Sequence, residues 1–266
     1  MIYKYPDDFI NKIMCGDCLE VMKDIPDNFI DLTITSPPYD NLRDYHGYIF
    51  DFENIAKELH RITKQGGVVV WVVGDATING SETGTSLKQA LYFKEIGFNL
   101  HDTMIYVKDP KYPRKNGYGN SFDYMFILVN GNIITFNPIK RKTLNKGFNK
   151  LITDRQVNGS LIAKRYSSSD ESSLYNVWYY SSGYMKTTKD IIAYKHPAIF
   201  PEQLAQDHII SWSNKNDIIL DPMCGSGTTC KMAKKLGRKY IGIEISPEYC
   251  EIARRRVNAT PEPLFV

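Results

Sequence analysis

Residues 68–73 read Val-Val-Val-Trp-Val-Val, an unbroken apolar run behind the pair Gly66-Gly67. A strand with no polar alternation has no face to give to water, so both its sides must be covered, as in a parallel sheet flanked by helices. Just upstream, Phe52 to Thr63 sets Ile55, Leu59 and Ile62 at helical spacing and closes on basic Arg61 and Lys64, so a helix leads into the buried strand. The alternation recurs. Asp31–Thr35, Met104–Val107, Tyr124–Val129, Asp217–Leu220 and Tyr240–Ile245 read as strands, and Ser86–Ile96, Gln203–Trp212, Thr228–Leu236 and Pro247–Val257 as helices. This pattern predicts an α/β domain built on a largely parallel sheet.

A chain of 266 residues is the size of one large domain, or one with an insertion. The first fourteen residues, Met1 to Met14, lack the apolar core of a signal peptide, and no apolar run approaches the roughly 18 residues of a spanning helix, so the expectation is a cytoplasmic protein with no membrane partner. Five cysteines, an odd number, suit reduced thiols rather than a disulfide framework. The Cys15-x-x-Cys18 pair has no second pair at ligand spacing, so no metal is expected.

Net charge is only +3, yet it is unevenly spread. Between Asn137 and Tyr166, Lys140, Arg141, Lys142, Lys146, Lys150, Arg155, Lys164 and Arg165 face a single acid, Asp154. Such a cluster reads either as a solvated basic loop or as a surface for phosphates. A Ser- and Tyr-rich stretch follows to residue 190.

Two short segments carry the chemistry. In the first, Ile218 to Thr229 runs strand, Gly225-Ser226-Gly227 turn, helix, and Glu244 closes the next strand, 17 residues after Gly227. Glycines at such a junction let backbone approach a ligand, and an acid at the next strand end accepts hydrogen bonds from ribose hydroxyls. Turn geometry alone would explain a lone Gly-x-Gly; the full strand–turn–helix–strand–acid order points to a nucleoside. A dinucleotide would want a third glycine where Cys230 stands, and Asp221 would repel its pyrophosphate. S-adenosylmethionine, with an ammonium for Asp221 to bind and no phosphate, suits the loop better.

In the second segment, Ser36-Pro37-Pro38-Tyr39 follows the strand Asp31–Thr35. Consecutive prolines stiffen the turn and remove two N–H donors, leaving a rim of acceptors beside an aromatic ring. That arrangement suits a planar heterocyclic amine, although a stiff loop with a packed tyrosine would look the same.

Together the two segments resemble the signatures of the amino-methylating DNA methyltransferases, a [DNS]-P-P-[YFW] turn and a D-P-F-x-G-x-G-T-T loop, here Ser36–Tyr39 and Asp221–Thr229 with Met223 where Phe is usual. The turn precedes the loop with the basic segment between them, the permuted order of the β class. Cys15-Gly16-Asp17-Cys18 resembles the family's segment near the adenine ring, and His196-Pro197-Ala198-Ile199-Phe200-Pro201 the segment leading into the cofactor loop. The resemblance implies a doubly wound Rossmann-like methyltransferase sheet with an inserted target-recognition region. It puts the catalytic domain at 1–136 and 191–266 and the recognition region at 137–190.

It further implies S-adenosylmethionine contacts from Asp17, Cys18, Phe200, Pro201, Asp221, Met223, Cys224, Gly225, Ser226, Gly227, Thr228, Glu244 and Ile245. Ser36, Pro37, Pro38 and Tyr39 would act on the base, and Lys140, Arg141, Lys142, Lys146 and Arg155 on double-stranded DNA. Ser36 and the Pro37 carbonyl would accept the two amine N–H bonds while Tyr39 stacks on a base drawn out of the duplex. Serine first in the turn goes with cytosine N4 in the family and aspartate with adenine N6, so cytosine N4 leads and adenine N6 is the alternative. A restriction endonuclease of the same system and a second copy of the chain are candidate partners. His46, shortly after the turn, reads as a loop histidine. A nicotinamide-dependent oxidoreductase shares the loop and acid but leaves Ser36–Tyr39 unexplained. A non-catalytic nucleic-acid-binding module and a methylase of RNA or protein amides complete the rival readings.

Overall fold

The computed structural model of the chain describes residues 8–38, 50–109, 115, 117–143, 149–167 and 169–262. The first half runs β1 (Lys12–Cys15), α1 (Cys18–Lys23), β2 (Ile30–Thr35), α2 (Phe52–Ile62), β3 (Thr63–Val73), the short pair β4 (Thr77–Ile78) and β5 (Ser81–Glu82), α3 (Thr85–Glu95), β6 (Phe98–Val107) and β7 (Phe122–Asn130). Then come β8 (Lys140–Lys142), β9 (Asn149–Arg155), β10 (Leu161–Ser167), β11 (Glu171–Ser173) and β12 (Val177–Tyr179). A short 3₁₀ turn (Ile191–Lys195), α4 (Glu202–Trp212), β13 (Ile218–Asp221), α5 (Thr228–Lys235), β14 (Lys239–Glu244) and α6 (Pro247–Asn258) follow.

Among the described residues, eight strands form one sheet in the order β1-β14-β13-β2-β3-β7-β6-β12. The pairings are parallel from β1 to β3 and between β6 and β12, while β7 runs against both β3 and β6. The expected doubly wound, Rossmann-like α/β sheet is thus present. Its centre is the Val68–Val73 run, fully covered as the sequence requires: Trp71 is enclosed by Phe50, Phe52 and Phe93, and its indole N–H donates to Gln89 Oε1 at 2.9 Å. The strand starts earlier than its apolar run, because Gly66 and Gly67 lie within it. A Cβ on Gly67 would sit 2.9 Å from the Lys64 carbonyl and 3.1 Å from that of Asp31, so only glycine lets the bulged strand hug β2.

Helix boundaries follow local chemistry. Asp51 caps α2, accepting from Asn54 N–H, and the helix buries Ile55, Ala56, Leu59 and Ile62. Ser246 caps α6 with Pro247 in its first turn. Among the described residues no helix is long and apolar enough to cross a membrane.

The chain divides into two compact units, residues 1–137 with 176–266, and residues 138–175. The second unit holds two small antiparallel ladders, β8 with β11 and β9 with β10. Residues 176–190, read from sequence with the basic segment, belong instead with the large sheet. There β12 pairs with β6, and Trp178 is buried against His208 at 4.8 Å.

Candidate active site

In a parallel sheet ligands bind beyond the carboxyl ends of the strands. Here β1, β14, β13 and β2 are neighbours, and the segments after them meet at one edge: the Cys15–Cys18 turn, Glu244-Ile245, the Pro222–Gly227 loop and the Ser36–Pro38 turn. They border a cavity of about 830 Å³. Ser36, Pro37 and Pro38 line it together with Cys18, Phe200, Met223, Cys224, Gly225, Ser226, Thr228, Glu244 and Ile245. Tyr39, His46 and Lys146 lie outside the described residues.

Glu244 is the best-defined acceptor. It is buried, and each carboxylate oxygen takes one backbone N–H at 2.9 Å, Gly225 on Oε2 and Ser246 on Oε1. Burial raises its pKa against the pull of these amides. Two oxygens offer about four lone-pair directions, so capacity for a pair of hydroxyls remains.

Asp221 stands apart from the cavity it was expected to line. Instead of facing a ligand ammonium, its carboxylate is 1% exposed and is not part of the cavity wall. Oδ1 accepts from Thr35 Oγ1 at 2.9 Å and from the Met223 amide at 3.2 Å. Burial pushes its pKa up to about 6, despite hydrogen bonds from Thr229, Thr35 and Met223. It braces the loop from inside the sheet.

Three other expected contacts also have internal work. Asp17 caps α1, accepting from the Leu19 and Glu20 amides, and only its neighbours Gly16 and Cys18 reach the cavity. Pro201 is buried at the start of α4. Gly227, at φ +77°, leads into α5, and a Cβ there would lie 2.8 Å from Ala253 Cβ, so its glycine serves packing against α6. Gly225, at φ +50°, is closed to larger residues by the His196 ring, 2.9 Å from where a Cβ would stand. His196 accepts the Ala198 amide on Nδ1 and packs edge-on against Tyr249 at 4.4 Å.

No motif in the sequence marks the group that holds the loop from behind. Arg256 on α6 has a fully buried guanidinium that donates to the Ser226 carbonyl at 2.7 Å, Ser226 Oγ at 3.0 Å and Thr228 Oγ1 at 3.1 Å. It also pairs with Asp190 at 3.0 Å and Glu202 at 2.9 Å, and Lys231 meets both acids at 2.7 Å. Burial opposes ionisation of Asp190, but hydrogen bonds from Lys231 and Arg256 outweigh it and hold its pKa below the ordinary value. In sequence nothing sets Arg256 apart from its neighbours Arg254 and Arg255.

A further part of the wall was also missed. Tyr106 on β6, Lys108 just after it and Asp123 on β7 line the same cavity as the Ser36 turn. Lys108 Nζ lies 2.6 Å from both Asp123 oxygens. Burial raises the Tyr106 pKa, keeping its hydroxyl a neutral donor.

In the second unit the basic residues divide. Arg141 lies 4.1 Å over the Tyr175 ring and is partly buried, and Lys140 sits 3.6 Å from Glu171. Lys142 and Arg155 are exposed.

The residues fit an adenosine carrying a sulfonium. Glu244 supplies hydroxyl acceptors, Cys18, Phe200 and Ile245 supply apolar wall, and the 222–228 loop contains no cation to hold a pyrophosphate.

Comparison with known proteins agrees. The orphan methyltransferase M.BamHII of Bacillus amyloliquefaciens is 54% identical over 243 residues, covering 89% of this chain and 91% of that protein. Among solved structures, PvuII DNA methyltransferase (cytosine-N4-specific) superposes with a TM-score of 0.69 at 20% identity, over 92% of this chain and 85% of that one. The M1.HpyAVI–SAM complex gives 0.63 at 23% identity, over 93% and 99%. The profile of the N6/N4 DNA methylase family matches residues 30–255, and the chain belongs to that family.

Proposed function

We propose that this DNA methyltransferase transfers a methyl group to the exocyclic amine of a base drawn out of duplex DNA, with cytosine N4 as the target and adenine N6 as the second reading. S-adenosylmethionine is the methyl donor of the family and supplies an electrophilic methyl group when bound. The observation that carries the reading is that the Ser36-Pro37-Pro38 turn and the Glu244–Gly225 pair open on one cavity.

An exocyclic amine is a poor nucleophile because its lone pair is delocalised into the ring. With Ser36 Oγ and the Pro37 carbonyl accepting its two N–H bonds, the nitrogen pyramidalises and its lone pair is aimed in line at the methyl group. The surplus N–H proton of the methylated amine would pass by way of the Ser36 hydroxyl to solvent water, since a neutral hydroxyl can relay a proton but not keep it. Tyr39 stacks on the base, and Tyr106, Lys108 and Asp123 border the space for its ring. Glu244 holds the ribose hydroxyls, and Cys18, Phe200 and Ile245 flank the adenine. Within the segment 137–190, the unit 138–175 carries target recognition, with Lys140, Arg141, Lys142, Lys146 and Arg155 toward the DNA.

Cytosine is favoured because Ser36 grips the amine with a short neutral hydroxyl, as in the family's cytosine enzymes. Nucleoside digests of DNA methylated by the purified chain test this: N4-methylcytosine is expected, and N6-methyladenine alone would overturn the choice of base. The same reading carries a cytoplasmic location, a homodimer, checked by sedimentation, and a restriction endonuclease sharing the methylated site.

A further inference from the structure

The strands β9 and β10 form a two-stranded ribbon joined at residues 156–160, and every described side chain of the two strands is exposed. An isolated hairpin with both faces in water is marginally stable, so its exposed faces need an explanation. Register separates them. Thr153 pairs with Ala163, Arg155 with Leu161 and Leu151 with Arg165, which puts these six side chains on one face. Lys150, Ile152, Asp154, Ile162, Lys164 and Tyr166 share the other.

The faces differ in charge and cover. On the first, Arg155 and Arg165 stand with no acid. On the second lies the Lys164–Asp154 pair at 3.3 Å, the ribbon's ion pair among the described residues. Leu151 and Leu161 on the first face are 65% and 63% exposed, against 37% and 47% for Ile152 and Ile162 on the second. The middle of the first face is the small pair Thr153 and Ala163, with an arginine diagonally to each side.

We propose that the Arg155–Arg165 face of this ribbon enters the major groove of the substrate DNA and reads base edges there. The inference rests on the reading of the chain as an enzyme of duplex DNA and deepens it. A major groove about 12 Å wide accepts a two-stranded ribbon. Arginine donates a bidentate fork to guanine O6 and N7, and the methyl groups of Thr153 and Ala163 suit a thymine methyl. Arg155 and Arg165 stand four residues apart along the ribbon, about 13 Å at the usual strand rise, which is close to four base-pair rises. The guanines they read are therefore expected about four base pairs apart. Arg141 and Lys140, held by Tyr175 and Glu171, do not share this task.

The test uses the full chain and the duplex it selects from a pool of randomised short duplexes, footprinted with dimethyl sulfate, which marks guanine N7 in the major groove. The native chain is expected to protect specific guanines. Arg155→Ala and Arg165→Ala should each expose a different one and weaken binding about tenfold to a hundredfold. Arg155→Lys and Arg165→Lys should lose the same protection while keeping the salt dependence of binding. Lys150→Ala and Lys164→Ala should lower affinity without changing which guanines are protected. Calorimetric binding of S-adenosylmethionine serves as the folding control. Protection unchanged in both arginine variants, its loss in the lysine variants instead, or no guanine protected by the native chain would overturn the proposal. A native chain that protects guanines but transfers no methyl group would refute the methyltransferase reading and leave the ribbon assignment standing.

Discussion

Thr35 Oγ1 donates to Asp221 Oδ1 across 2.9 Å, joining the last residue of β2 to the last residue of β13. The hydroxyl is buried and the carboxylate nearly so, and the bond ties the strand end that carries the Ser36 turn to the one that carries the glycine loop. Thr35→Val keeps the shape and removes the donor. It should cost about 1–3 kcal/mol of stability, read by denaturant unfolding, and lower kcat while the cofactor still binds. Unchanged unfolding and unchanged turnover would show that the bond holds nothing together.

Asp221 also predicts a pH dependence. Its native pKa of about 6 lies above the ordinary 3.8, so between these values the folded chain keeps a proton that the unfolded chain has lost. Stability from this group is therefore highest below pH 4 and falls as pH rises toward 6, by about 3 kcal/mol in all. Asp221→Asn, which can still accept from Thr35, should remove that slope. The check is the difference between native and variant melting curves across pH 4–7.

Arg256→Leu leaves Lys231 as the cation shared by Asp190 and Glu202 and strips Ser226 and Thr228 of their shared donor. A loss of about 3–5 kcal/mol is expected, along with weaker cofactor binding. Arg256→Lys should recover part of the stability but little of the affinity, because an ammonium cannot span the acids and the loop together.

The proposed roles of Ser36 and Glu244 separate in kinetics. Ser36→Ala should lower kcat by about a hundredfold with little change in cofactor affinity. Glu244→Gln must turn an NH2 toward either the Gly225 or the Ser246 amide, so cofactor affinity should fall about tenfold to a hundredfold. Calorimetry beside steady-state rates distinguishes the two; matching losses in both variants would refute the division.

The wall formed by Tyr106, Lys108 and Asp123 calls for a different measurement. Lys108→Met leaves Asp123 without its paired cation, and should raise the KM for DNA more than the KM for S-adenosylmethionine. Equal changes in both would place this pair in the fold rather than beside the base.

By itself the sequence determined the α/β class, the buried strand Val68–Val73 within a largely parallel sheet, and the two segments that border the cavity; that β7 runs antiparallel beside that strand is a tertiary fact. These follow from periodicity, turn chemistry and short motifs, which act between residues near in the chain. It also located the basic segment, because charge density is local. Tertiary structure decided the rest. Asp221 reads as a ligand acid in sequence, yet Thr35, 186 residues away, turns it into a brace. Gly227 reads as a ligand glycine, yet Ala253 of α6 is what its missing Cβ admits. Arg256 belongs to no motif in the sequence, yet Asp190, Glu202 and the loop enclose it. In each case a buried polar or compact group takes its role from partners far along the chain, and burial makes those partners obligatory.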